Sequence, residues 1–175
     1  MSLTSFIANH CLAYLLHSES DHLQQQRPRQ KTPLRPPWAA PSDLFQSRCT
    51  GCGDCAAICP QHILTLEKNG LPLVDFSTSF CTFCGECARS CPTQALAFAI
   101  STPPWQVRAV VDEHCLLANR VLCRSCADHC PQGAIVFPLQ EARLPEINLD
   151  QCTGCGACAS GCPVSALSFT YQEAP

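Results

Sequence analysis

The chain has 175 residues, enough for one or two small domains, and aromatic residues make up 7%, too few for a large conventional core. Its formal charge of −3 at pH 7 argues against a nucleic-acid partner. It has no run of 18 or more apolar residues, so no membrane span is expected. What dominates is cysteine: of 17, 16 fall into four clusters, each ending in Cys-Pro.

Residues 1–23 read as an amphipathic N-terminal helix, with Leu3, Phe6, Ile7, Cys11, Tyr14 and Leu15 on one face. The stretch is apolar enough to suggest an export signal. However, no Lys or Arg precedes it, it has no arginine pair, and no convincing small-residue cleavage site follows. With so many reduced thiols, a cytoplasmic protein is expected. The helix either packs on its own protein or docks to a partner. Cys11 reads as an apolar residue of that helix rather than a ligand. Residues 24–47 hold Pro28, Pro33, Pro36, Pro37 and Pro41 among glutamines and basic side chains, and predict an extended, partly polyproline-like linker.

The first cysteine run is Cys49, Cys52, Cys55, Cys59-Pro60; the second is Cys81, Cys84, Cys87, Cys91-Pro92. The fourth is Cys152, Cys155, Cys158, Cys162-Pro163. These three fit C-x2-C-x2-C-x3-C-P, the ligand run of bacterial [4Fe–4S] ferredoxins. The third, Cys115, Cys123, Cys126, Cys130-Pro131, sets its first cysteine further upstream. A cube of four irons needs four outside thiolates, and two-residue gaps let a loop curl around it. Small gap residues (Gly51, Gly53, Gly85, Gly154 and Gly156) allow close approach and positive φ. Disulfides and zinc are the rival readings. The first needs an exported protein, and the second favours paired Cys-x2-Cys modules.

In two-cluster ferredoxins the last cysteine of a run binds the other cluster. Applied here, Cys49, Cys52, Cys55 and Cys91 form one set, and Cys81, Cys84, Cys87 and Cys59 its neighbour. Cys115, Cys123, Cys126 and Cys162 form a third, and Cys152, Cys155, Cys158 and Cys130 a fourth. Four [4Fe–4S] clusters would take the charge to about −11, each oxidised core adding roughly −2 with its thiolates.

The pattern is a duplication. Cys52, Cys59, Cys84 and Cys91 each recur 71 residues on, at Cys123, Cys130, Cys155 and Cys162. Arg120 stands where the counterpart of Cys49 would fall, and Cys115 is the obvious replacement. The alternative is a site with three ligands, holding a [3Fe–4S] cluster or none. Residues 48–103 and 104–171 are the two expected ferredoxin units. Short strands are predicted at 63–66, 73–76, 95–98, 134–137, 147–150 and 166–169, with short helices around the third and fourth cysteines of each run, as at 54–58. The fold class is thus α+β, a tandem two-cluster ferredoxin unit with short helices and hairpins wrapping four clusters. His114 and His129 sit beside cysteines but read as surface or neighbouring groups, not ligands. No nucleophile–base pair, phosphate loop or nucleotide motif is present, so no enzyme activity is expected.

Arg35-Pro-Pro-Trp38 before the first run, four runs in this order, and the atypical third run together resemble the NapF family. Residues 35–171 carry the resemblance; the first 30 residues, which lack an arginine pair, depart from it. The family comprises ferredoxin-type accessory proteins of the periplasmic nitrate reductase system. The resemblance implies a cytoplasmic protein that binds the precursor of the nitrate reductase catalytic subunit before export and assists its maturation through electrons or cluster assembly. The alternatives are an electron-transfer subunit of a membrane-bound molybdoenzyme or hydrogenase complex, and a free polyferredoxin serving several partners.

Overall fold

The computed structural model describes residues 33–100, 104–138 and 144–172. The helix predicted over 1–23, Cys11 and the first part of the linker lie outside the described residues. Helix α1 (Ser42–Arg48) leads into the first run, and α2 (Asp54–Ile58) forms within it. Strands β1 (Leu64–Leu66) and β2 (Pro72–Val74) follow, then α3 (Glu86–Arg89) in the second run. The second half begins with β3 (Val107–Val111) and continues with α4 (Ser125–Asp128), β4 (Ile135–Val136), β5 (Glu146–Ile147), α5 (Ala157–Ser160) and β6 (Leu167–Tyr171).

Each half is built alike from short helices and small antiparallel sheets. A hairpin joins its two runs: β1 pairs β2 with Leu64 opposite Val74, and β4 pairs β5 with Ile135 opposite Ile147. The chain entering each half then meets the chain leaving it. In the second half this is the five-residue ladder of β3 with β6, from Val107 opposite Tyr171 to Val111 opposite Leu167. In the first half it shrinks to one bridge, Ala39 opposite Leu96, so the strand predicted at 95–98 does not form. The difference lies in the partner. Residues 33–41 carry four prolines, which donate no ladder hydrogen bond, whereas β3 is Val-Arg-Ala-Val-Val. The strand predicted at 147–150 ends at Ile147, because the Asn148 side chain accepts the N–H groups of Asp150 and Gln151 at 3.1 and 3.3 Å and turns the chain.

The described part of the predicted linker packs against the cysteine-rich body. Leu34 and Phe45 are 1% exposed, and Pro36 and Pro37 are fully buried. The Arg35 guanidinium pairs with Glu67 at 2.6 Å, donates to the Pro72 carbonyl at 3.0 Å and lies 5.6 Å over the Phe45 ring. Val74 N–H donates to the Leu34 carbonyl at 2.8 Å. Residues 42–48 are helical because Asp43 and Arg48 complement the dipole at its two ends and Phe45 anchors the buried face.

The halves share one core. Phe76 lies 4.8 Å from Phe169 and 6.1 Å, edge-on, from Trp105 by ring centroids. Backbone bonds cross as well: Trp38 N–H donates to Pro104 C=O, and Cys81 N–H to Cys155 C=O at 2.7 Å. Among the described residues no helix is long and apolar enough to cross a membrane.

Candidate metal centres

The cysteine runs fold as tight loops that feed short helices. In the first, second and fourth runs a glycine starts the helix in the left-handed region: Gly53 at φ 83°, Gly85 at 79° and Gly156 at 90°. A side chain could not sit at two of these positions, since a Cβ on Gly85 would meet the Phe98 ring and one on Gly156 the Phe76 ring. The third run has Arg124 at this place, with φ −131°, and its helix starts without the left-handed turn.

Cys49, Cys52, Cys55 and Cys91 line one hollow, walled by Phe45, Pro72 and Leu96. Cys59, Cys81, Cys84 and Cys87 line a second, with Trp38 and Ile63 in its wall. Cys130, Cys152, Cys155 and Cys158 line another, against Ile135 and Phe169. Three hollows with the same four donors fit one kind of guest. Cys126 is the buried member of the remaining group, and the charges of Cys115, Cys162 and Cys123 act to push its thiol up. These groups are called the first, second, fourth and third quartets below. In the first, second and fourth, the last cysteine of one run lines the same hollow as the first three of the other run.

Burial pushes several of these thiols up. Cys81, Cys87 and Cys158 are raised to about 12, and Cys55 and Cys126 to about 11. Desolvation is the leading cause throughout, and neighbouring thiolates of the same quartet raise each further. Four thiolates therefore cannot share such a hollow without positive charge between them. A cationic iron–sulfur core would supply that charge, and protons would leave as it bound. Cys91 goes the other way. Burial opposes ionisation, but hydrogen bonds from Leu96 N–H and from Thr93 outweigh it and hold the thiol below its ordinary value.

Backbone N–H groups reach the sulfurs of three run-ending cysteines. Leu96 N–H points to Cys91 Sγ at 3.5 Å, Ala134 N–H to Cys130 Sγ at 3.3 Å and Ala166 N–H to Cys162 Sγ at 3.4 Å. Such bonds withdraw charge from a thiolate and tune a bound cluster's potential.

The segment between Cys115 and Cys123 is a closed loop. Val121 N–H returns to the Leu116 carbonyl at 2.9 Å, and Arg120 takes φ 60°. Asn119 Nδ2 donates to the Cys115 and Glu113 carbonyls at 3.1 and 3.2 Å and ties the loop to the cysteine it carries. Sequence reasoning passed over Asn119, although asparagine is a common turn residue. It also passed over a second copy of Pro-Pro-Trp: Pro36-Pro37-Trp38 recurs as Pro103-Pro104-Trp105, ahead of each half. Trp105 packs between halves and donates its Nε1–H to the Thr153 carbonyl at 3.0 Å. The two histidines are exposed and occupied elsewhere, His114 with Asp112 at 3.2 Å and His129 with the Ser125 carbonyl at 2.8 Å.

The family model for the 4Fe-4S dicluster domain matches residues 48–95 and 119–166. The ferredoxin-type protein NapF of Haemophilus influenzae is 43% identical over 125 residues, covering 70% of this chain and 70% of that protein. NapF of Escherichia coli K12 is 38% identical over 125 residues, covering 70% of this chain and 76% of its own. The ferredoxin-type protein NapG of the same strain is 34% identical over 157 residues, 77% of this chain and 68% of its own.

Proposed function

Because the chain belongs to the NapF family of ferredoxin-type proteins built from 4Fe-4S dicluster domains, we propose that it is a four-cluster accessory protein acting on the precursor of a molybdenum reductase. The observation that supports the cluster count is that three sets of four cysteines each line one hollow, with the remaining members of the runs, Cys115, Cys123, Cys126 and Cys162, left to form a fourth set. Each quartet holds one [4Fe–4S] cluster through cysteines of both runs in its half. The third quartet is completed by Cys115 on its closed loop.

The partner in this reading is the catalytic subunit of periplasmic nitrate reductase, met in the cytoplasm before export. The similarity to NapF proteins supports it. The chain performs no bond chemistry of its own. It binds the precursor and passes electrons, or aids cluster assembly, during maturation.

Two measurements test this. Iron in anaerobically prepared protein should reach about 16 per chain, four per cube; saturation near 12 removes one site. The purified holo-protein should bind the purified cytoplasmic precursor. Failure to bind it, with co-purification in a membrane-anchored complex instead, makes the chain an electron-transfer subunit.

A further inference from the structure

The two Pro-Pro-Trp copies use their indoles differently. Trp105 Nε1–H is met by the Thr153 carbonyl at 3.0 Å. Cysteine spacing makes Thr82 the counterpart of Thr153, and Thr82 lines the second hollow together with Trp38. Yet Trp38 Nε1 bonds neither Thr82 nor any other group among the described residues, although it is sealed from solvent. An indole nitrogen can only donate. A buried donor left unmet is rare enough in a native fold to need a cause.

The indole is held in the wall of that hollow by contacts other than its N–H. Trp38 takes φ 60°, a conformation that a bulky residue seldom adopts, and Trp105 does not share it. Two backbone bonds keep it there: Trp38 N–H donates to Pro104 C=O, and Ala97 N–H donates to Trp38 C=O at 3.0 Å. Its ring lies 5.0 Å from that of Phe98, which covers Gly85 of the second run. The same hollow lacks a donor found elsewhere. Cys91, Cys130 and Cys162 each receive a backbone N–H at sulfur, whereas among the described residues no such bond reaches Cys59, the run-ending cysteine of the second quartet.

We infer that Trp38 Nε1–H is a hydrogen-bond donor to the cluster of the second quartet, with a bridging sulfide as its acceptor. The inference rests on the four-cluster reading above. The thiols and carbonyls around the hollow leave this N–H unmet, so its acceptor has to arrive with the guest. A cluster gains one negative charge on reduction, and a hydrogen bond to its sulfur favours the more negative form. Trp38 therefore raises the potential of the second cluster. In the other half the corresponding N–H is engaged by a backbone carbonyl, so the fourth cluster has no such donor and the two matching sites are made unequal.

The test reads the potential of one cluster and its contact with one nitrogen. Second-cluster cysteine β-proton NMR lines are assigned as those lost in Cys84→Ala. They are then followed through an anaerobic redox titration of the full-length holo-protein, with iron content measured. In Trp38→Phe, which keeps a ring against Phe98, the second cluster should become harder to reduce by roughly tenfold in its equilibrium, about 59 mV for one electron. The other clusters should keep their potentials. Benzothienylalanine in place of Trp38 retains both rings without the N–H and should give the same shift; it decides the matter should Trp38→Phe not fold. With the indole nitrogens of the native chain isotopically labelled, ENDOR of the reduced protein should show a nitrogen coupling. That coupling should survive Trp105→Phe and disappear when Trp38 is replaced in either way. An unchanged potential with benzothienylalanine, or no coupling that depends on Trp38, overturns the inference. If four clusters are present, such a result defeats only the role of Trp38; a preparation with no cluster at Cys81, Cys84 and Cys87 defeats the four-cluster reading itself.

Discussion

Gly156 carries two constraints at one atom: its φ of 90° starts α5, and any Cβ there would enter the buried Phe76 ring at the junction of the halves. Gly156→Ala should therefore cost about 1–3 kcal/mol, the usual range for overpacking a tight site, on top of left-handed strain. Anaerobic thermal unfolding of the holo-protein should show a lower midpoint than the native chain. An unchanged midpoint means Phe76 can move aside at no cost. Gly133 is the internal control. Its φ is 59°, but a Cβ there meets nothing within 4 Å, so Gly133→Ala should show the backbone part of the penalty alone. The third run, with Arg124 in place of such a glycine, has no equivalent lock and must hold its first ligand by other means.

At the scale of elements, that means is the loop after Cys115. Asn119 caps two of its carbonyls, so Asn119→Ala should loosen the cysteine it carries. The loss in stability is small, about 1 kcal/mol for such a hydrogen bond, but the site is the one with the longest reach to its first ligand. Oxidised samples should gain a [3Fe–4S] signal by EPR while the other clusters stay intact; no new signal means the loop holds without Asn119. A second substitution tests the exchange of cysteines between runs. Cys59 closes α2 yet lines the second hollow rather than the first. Cys59→Ala should damage the cluster of Cys81, Cys84 and Cys87 and spare that of Cys49, Cys52 and Cys55. Loss of the latter instead would mean sequential ligation. The four cysteine runs were legible in the sequence because loop spacing and the Cys-Pro turn are local. Two things were not. The stretch 33–48 reads as a tether by composition, since its anchors are distant: Glu67 for Arg35, Val74 for Leu34, and Tyr171, whose hydroxyl accepts Arg35 N–H at 2.9 Å. The strand at 95–98 has suitable residues but a proline-rich neighbour, and strand formation needs both.

For the whole molecule, the question is what the clusters contribute to holding the fold. The shared core includes Cys55, Cys59, Cys126 and Cys158 among its buried members, interleaved with Phe76, Trp105 and Phe169. Apolar packing and metal ligation thus occupy the same volume. The sheets are small, none of more than two strands among the described residues, and the helices inside the runs are of four or five residues. Helices and hairpins of that length are not stable alone in water. In the proposed ligation each quartet ties two runs across a half, so losing the metal would remove the cross-links and leave buried thiols lining empty hollows. Metal ligation of this kind is folding free energy. Stripping iron with chelator and oxygen should therefore collapse the dispersed NMR signals of residues 49–171, and anaerobic reconstitution with iron and sulfide should restore them. Signals from β3 and β6 should be the last lost, because their five-pair ladder is the longest among the described residues. A stripped sample that keeps sharp, dispersed signals throughout would show that the apolar core alone specifies the fold and that the clusters serve electron transfer without holding the chain.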